Sequence, residues 1–169
     1  MSSAENTTPS PADRPREHYV GKNITSLARM ARAYVDPCVA PFGLNFTLVQ
    51  ILILLFERDG VSQHEVGCQL HIDKGAMARA IKKLEDDGYV TRESHPTDER
   101  AYRVLLTERA RRDEPAIRAI LRGWTAGATR GLAEAEFAQL AELLARMVGN
   151  AAEMLRGQAA SPPAQEPPS

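Results

Sequence analysis

The stretch that most constrains this chain is Ser62 to Gly88, where two helix-start signals stand eleven residues apart and leave no room for a long connection. Ser62-Gln63-His64-Glu65 is a capping box: the Ser62 hydroxyl can accept from the amide three residues on, and the Glu65 carboxylate can reach back to the Ser62 amide. The helix it opens can bury Val66 and Leu70 and must stop by Ile72, because Asp73 is a second N-cap. From Asp73 another helix runs through Lys83, Leu84 and Glu85 to Gly88, with Met77, Ile81 and Leu84 pointing inward. A short helix, a tight turn and a longer helix make a helix-turn-helix.

The texture then changes. Tyr89–Glu93 and Tyr102–Leu106 are short β-prone runs separated by the polar SHPTDERA, which is expected to form a hairpin with a long loop. Upstream, Asn45 or Thr47 can cap LVQILILLF, which is apolar almost all round and so is the expected buried centre. From Glu17 to about Ala40, the residues Val20, Ile24, Leu27, Ala31, Tyr34 and Cys38 recur at spacings of 3 and 4, one stripe of an amphipathic helix that Pro37 should kink or break. Downstream, Thr107 can cap a helix to about Arg130, bent at Pro115. A last helix from about Ala133 to Leu155 spaces Phe137, Leu140, Leu144, Met147, Ala151 and Met154 like a pairing seam. The expected fold class is mainly α with a small β hairpin, a winged helix-turn-helix flanked by N- and C-terminal dimerisation helices. The flanking stripes exceed what a central unit of about 65 residues can cover, so a homodimer is the economical solution.

Composition bounds the rest. A length of 169 residues suits one domain. Seven of the eleven prolines fall in residues 1–16 and 158–169, among Ser, Thr, Ala and Gln, too little apolar surface to offset the entropy of ordering. The expected division is therefore a flexible tail over 1–16, a dimerisation helix over 17–44, the winged helix-turn-helix over 45–107, dimerisation helices over 108–156 and a flexible tail over 157–169. The longest nearly apolar run, Leu48–Phe56, falls well short of the about 20 residues of a membrane span. With no visible secretory signal and only Cys38 and Cys68, a cytoplasmic protein without a membrane partner is expected. A net charge of −1 gives no overall field toward phosphate, and residues 60–107 are themselves balanced, with seven Lys/Arg against eight Asp/Glu. Any nucleic acid must be met by a local surface, and non-specific binding should be weak.

In a winged helix the second helix of the pair enters the major groove with its first turns toward base edges. Lys74, Gly75, Ala76 and Arg79 are the expected readers, the two small residues admitting close approach, and Lys82 and Lys83 the expected phosphate contacts. His95, Arg100 and Arg103, on or beside the hairpin loop, could reach the neighbouring minor groove, whose narrow form favours arginine. Asp98 could hold Arg100 in a bidentate pair, although an exposed loop pair of this kind is commonly worth only ~0 to 1 kcal/mol.

The run from Gly43 to Arg111 resembles the MarR family of bacterial winged-helix regulators. Its most specific parts are Asp98-x-Arg100 followed by Leu106-Thr107, and before them Leu84-Glu85-x-x-Gly88. The resemblance spans roughly residues 17 to 155. It implies a triangular homodimer joined through its terminal helices, which binds a pseudo-palindromic operator and is released by a small, often phenolic or carboxylate, ligand. It also implies an effector pocket at Arg29, Phe46, Val49 and Ile53, with Arg29 the partner of an anionic effector. The chain departs from the family pattern at His71, where Gly is common, at Gly75 and Ala76, where hydroxyl residues are common, and at Ala133, where Ser or Thr usually caps the last helix.

Other constellations carry less. His64, Cys68 and His71 have metal-like spacing, but His64 lies in the capping box, His71 in the turn, and no fourth ligand is placed, so neither metal nor cofactor is expected. Cys38 lies on the apolar stripe and reads as a core cysteine rather than a redox switch. With no GxSxG, P-loop or GxGxxG, and carboxylates in solvated runs such as Glu85-Asp86-Asp87, an enzyme is not expected. The expected function is a ligand-responsive DNA-binding transcriptional regulator, most simply a repressor. The alternatives are a thiol- or metal-sensing regulator on the same scaffold, or a winged-helix module for protein interaction.

Overall fold

The computed structural model describes residues 16–95 and 98–160, with side chains over 19–94 and 102–157. The elements are α1 (Arg16–Val39), a 3-10 turn (Ala40–Phe42), α2 (Phe46–Glu57), β1 (Val61–Ser62), α3 (Gln63–Leu70), α4 (Lys74–Asp86), β2 (Val90–His95), β3 (Asp98–Leu106), α5 (Glu108–Ala128) and α6 (Glu134–Ala160). They fall into two units that divide between Thr125 and Ala126, where length alone suggested one domain.

In the first unit α2 is the centre. Asn45 Oδ1 accepts from the Leu48 amide at 3.0 Å to start the helix, and Leu48, Val49, Ile51, Leu52 and Leu55 are buried. Val35 and Val39 of α1, Val66 of α3, Met77, Ile81 and Leu84 of α4, Val104 of β3 and Ile117 of α5 close around it. Each such side chain contributes roughly 1.5–3 kcal/mol by leaving water. Pro37 does not break α1, which continues to Val39 and then tightens into the 3-10 turn. So close to the helix end, the missing amide costs one of the last hydrogen bonds and disrupts no later turn. Asp36 Oδ1 accepts from the Phe46 amide at 2.6 Å and pins the end of α1 to the start of α2.

The sheet has three antiparallel strands in the order β1-β3-β2, one more than expected. β1 is only two residues long, with Val61 opposite Val104 and Ser62 opposite Arg103. The ribbon of β2 and β3 runs from the pair Val90 and Leu106 out to His95 and Asp98, with a register shift between Ser94 and His95. The expected long loop is therefore mostly strand. Its backbone pairing continues where polar residues replace the alternating apolar pattern by which a strand is recognised.

On α1, the residues given to the core are Ala31, Val35 and Val39, while Val20, Ile24, Leu27 and Tyr34 of the sequence stripe stay exposed. Cys38 is exposed as well, not a core cysteine. In the second unit α6 runs to Ala160, beyond the expected start of a tail. None of its described side chains is buried, and Phe137, Leu140, Leu144 and Met147 remain 38–43% exposed.

Candidate nucleic-acid interface

The capping box forms in full: Ser62 Oγ accepts from the Glu65 amide at 3.2 Å, and Glu65 Oε2 from the Ser62 amide at 2.8 Å. α3 ends at His71, whose φ of 52° makes it the one non-glycine left-handed residue among those described. The strain is tolerable because histidine visits this region more readily than most residues. At Gly67 an added Cβ would stand 3.3 Å from the Ile72 carbonyl oxygen, a tight contact where the turn folds back. Asp73 Oδ1 then accepts from the Ala76 amide at 2.8 Å and opens α4.

Met77, Ile81 and Leu84 are fully buried and fix the rotation of α4. Its other face therefore points to solvent, with Lys74, Gly75, Arg79, Lys82 and Lys83 exposed and Ala76 half-buried. The charges on this face are sorted along the axis. Lys82 Nζ lies 3.1 Å from Asp86 and Lys83 Nζ 2.8 Å from Asp87, each an i,i+4 pair. Among the described residues neither Lys74 nor Arg79 has a carboxylate within ion-pair distance. The first two turns thus present cations with no carboxylate partner among the described residues, and the last two turns compensated ones.

Glu85, at the end of α4, pairs with Arg92 of β2 and ties the helix to the ribbon. Arg103 does not sit at the ribbon tip. Its Nε donates to the Gly60 carbonyl at 2.8 Å, at the sheet base, and its guanidinium fills the space a Cβ on Gly60 would need. His95, Asp98 and Arg100 belong to the outer ribbon by their backbone, and their side chains, with the expected Asp98–Arg100 pair, lie outside the described residues.

A buried latch behind α4 was not legible in sequence. Tyr89 is fully buried, with its hydroxyl 2.9 Å from the Phe42 carbonyl and 3.0 Å from Asp113 Oδ2, and the Arg109 guanidinium 4.5 Å from its ring centroid. Burial, then the hydrogen bond with Asp113, pushes the phenol pKa up, partly offset by Arg109. Thr107 Oγ1 accepts from the Ala110 amide at 3.3 Å, the cap expected for α5, and also donates to the Gly88 carbonyl at 2.7 Å.

A cleft of about 540 Å³ opens beside α2 within the first unit, walled by α1, α2, α3 and α5. It contains Phe46 and Ile53 of the four expected pocket residues. Val49 is instead fully buried in the core, and Arg29, exposed on α1, is not part of the lining. Phe46, Gln50, Ile53 and Glu57 form one helical row, and Val49 falls to one side of it. Glu57, Leu121 and Trp124 also line the cleft and leave no local signal of it in the sequence, the last two because α5 returns to this wall from far along the chain. Elsewhere, Cys68 Sγ lies 3.6 Å from His64 Nε2. Among the described residues no three His, Cys, Asp or Glu side chains gather as a metal site.

Known proteins share this architecture. The family model of the MarR family matches residues 44–102. A MarR transcriptional regulator from Methanosarcina mazei Go1, known as a crystal structure, is 32% identical with a TM-score of 0.78, over 81% of this chain and 99% of that one. The HTH-type transcriptional regulator BilQ of Clostridioides difficile (strain CD3) is 26% identical over 121 residues, 72% of this chain and 82% of the relative. A putative MarR family regulator from Listeria monocytogenes, solved in complex with a 26mer DNA, has the same fold with a TM-score of 0.78 at 23% identity, over 85% of this chain and 97% of that one. The family match covers the elements from α2 to the ribbon, and the likeness to the Methanosarcina protein takes in nearly all of that chain, so this chain belongs to the MarR family of transcriptional regulators.

Proposed function

We propose that the chain binds double-stranded operator DNA as a homodimer, with α4 of each copy in a major groove and the β2–β3 ribbon toward the flanking minor groove. The observation that carries this reading is the pair of uncompensated cations, Lys74 and Arg79, flanking the small residues Gly75 and Ala76 on the solvent face of α4. The DNA complex of the Listeria relative, which has the same fold, supports it. Arg79 is the base reader, and Arg100 the minor-groove contact of the ribbon. Lys82 and Lys83 meet phosphate by exchanging their aspartates for it. Residues 45–107 are the DNA-binding part, and the exposed stripes of α1 and α6 are the dimer surface, within 17–44 and 108–156.

The protein acts in the cytoplasm as a repressor, and a small molecule in the cleft beside α2 lowers its DNA affinity. Linkage requires that such a ligand weaken DNA by the factor by which DNA weakens the ligand. A mobility-shift titration with DNA from upstream of the protein's own gene, from about 50 to about 200 mM salt, tests the core of the reading. Arg79→Ala should cost ~1–3 kcal/mol and relax base preference, while Arg100→Ala should weaken binding and flatten its salt dependence. Equal binding to all sequences, unaffected by Arg79→Ala, would reject α4 as the reading element.

A further inference from the structure

We infer that the cleft beside α2 selects a hydrophobic organic cation, an arylalkyl amine that is protonated at neutral pH, with the amine held by Glu57. This inference rests on the reading of the cleft as the effector site and names its ligand class. The walls supplied by Phe46, Ile53, Leu121 and Trp124 are apolar and aromatic, and the volume of about 540 Å³ suits a drug-sized molecule. Glu57 is the charged residue of the lining, which holds no Lys, Arg or His. It is also the last residue of α2, where the helix dipole is negative and disfavours a carboxylate. An approaching ammonium would be attracted by both.

Three cations on the surrounding elements have partners of their own. Arg58 pairs with Glu65 at 3.8 Å, and Arg118 with Glu114 at 2.7 Å while lying over the Phe56 ring. Arg32 stands over the Phe46 ring, 5.5 Å from its centroid, and donates to Thr47 Oγ1 at 3.5 Å. Among the described residues Glu57 has no ion-pair partner of its own. Trp124, with Tyr34 tilted against it at 5.8 Å, adds aromatic surface suited to a cation. Arg29, the expected partner of an anionic effector, does not line the cleft.

Trp124 is the only tryptophan of the chain, so its emission reports occupancy directly. The full-length protein is titrated at neutral pH with 4-phenylbutylammonium, 4-phenylbutanol and 4-phenylbutanoate, which share one body and differ in charge. The ammonium should bind about fivefold tighter than the alcohol, the gain of one solvent-accessible ion pair, and the carboxylate weakest. Glu57→Gln should erase the gap between ammonium and alcohol, with an unchanged urea midpoint as the check on folding, and Arg32→Ala should leave the order intact. Tightest binding by the carboxylate, or an ammonium preference that survives Glu57→Gln, overturns the charge selection and leaves the cleft as effector site. No response to any of the three overturns the cleft reading as well.

Discussion

α2 and α6 are both rich in apolar residues, yet their own chain treats them in opposite ways. α2 buries five side chains and is packed by α1, α3, α4, α5 and the sheet, which leave open only the row that lines the cleft, whereas α6 buries none among those described. The difference follows from the width of the apolar face. A helix apolar almost all round can be satisfied only inside a core, while a narrow seam at spacings of 3 and 4, flanked by Glu and Arg, is satisfied by one other helix. Hydrophobic residues in the winged unit therefore report on folding, and those on α6 and the outer stripe of α1 on the proposed association.

Substitution at matched leucines should separate the two roles. Leu52→Ala leaves a hole at a fully buried position and should lower stability by ~2–5 kcal/mol in chemical denaturation. A loss below about 1 kcal/mol would show that α2 is not the centre of the core. Leu144→Glu, on the exposed seam, places a carboxylate where a partner helix would desolvate it. If the proposed dimer forms through this seam, Leu144→Glu should shift the protein to monomer in sedimentation while Leu52→Ala, at concentrations where it remains folded, does not. Persistence of the dimer in Leu144→Glu would remove α6 from the interface.

The winged unit also holds a polar latch, which α6 lacks among its described residues. Tyr89→Phe removes the hydroxyl shared by Phe42 and Asp113 and should cost about 1 kcal/mol at neutral pH. Because the folded protein raises the pKa of Tyr89, chiefly by burial, it holds the phenol proton more tightly than the unfolded chain does. The associated stability is complete below about pH 10, the ordinary tyrosine value, and is lost as pH rises above it. Tyr89→Phe should flatten that alkaline decline in urea midpoints. The same decline in the variant would assign it to other groups.

What was legible in the sequence was local. The Ser62–Glu65 box and the Asp73 and Thr107 caps depend on residues a few positions apart, and each stands where the pattern placed it. The exposed face of α4 was legible too, because Met77, Ile81 and Leu84 fix its rotation. Contacts across long separations were not, such as Tyr89 with Phe42 or Arg103 with Gly60, since polar partners leave no periodic trace. The outer ribbon was hidden for a related reason: it pairs through its backbone, and its residues lack the alternation that marks a half-buried strand. On α1 the apolar positions made two neighbouring rows, and periodicity could not say which one the core would take.

The smallest expected effect concerns the helix starts, where the two units again differ. α3 has both halves of its capping box, but α6 has one: Glu136 Oε2 accepts from the Ala133 amide at 2.8 Å, and Ala133 has no hydroxyl to accept from the Glu136 amide. The geometry for the missing half is already in place, since the Phe137 amide donates to the Ala133 carbonyl at 2.9 Å and marks Ala133 as the cap residue. Ala133→Ser should therefore stabilise the start of α6 by about 0.5–1 kcal/mol, and Ser62→Ala should cost α3 about 1 kcal/mol by leaving Glu65 without its counterpart. Amide exchange in the first turn of each helix reads both changes, slower at Glu136 in the first variant and faster at Glu65 in the second. If Ala133→Ser left exchange at Glu136 unchanged, the Glu136 carboxylate alone would suffice to hold that end, and the cap of α6 would be complete without a hydroxyl.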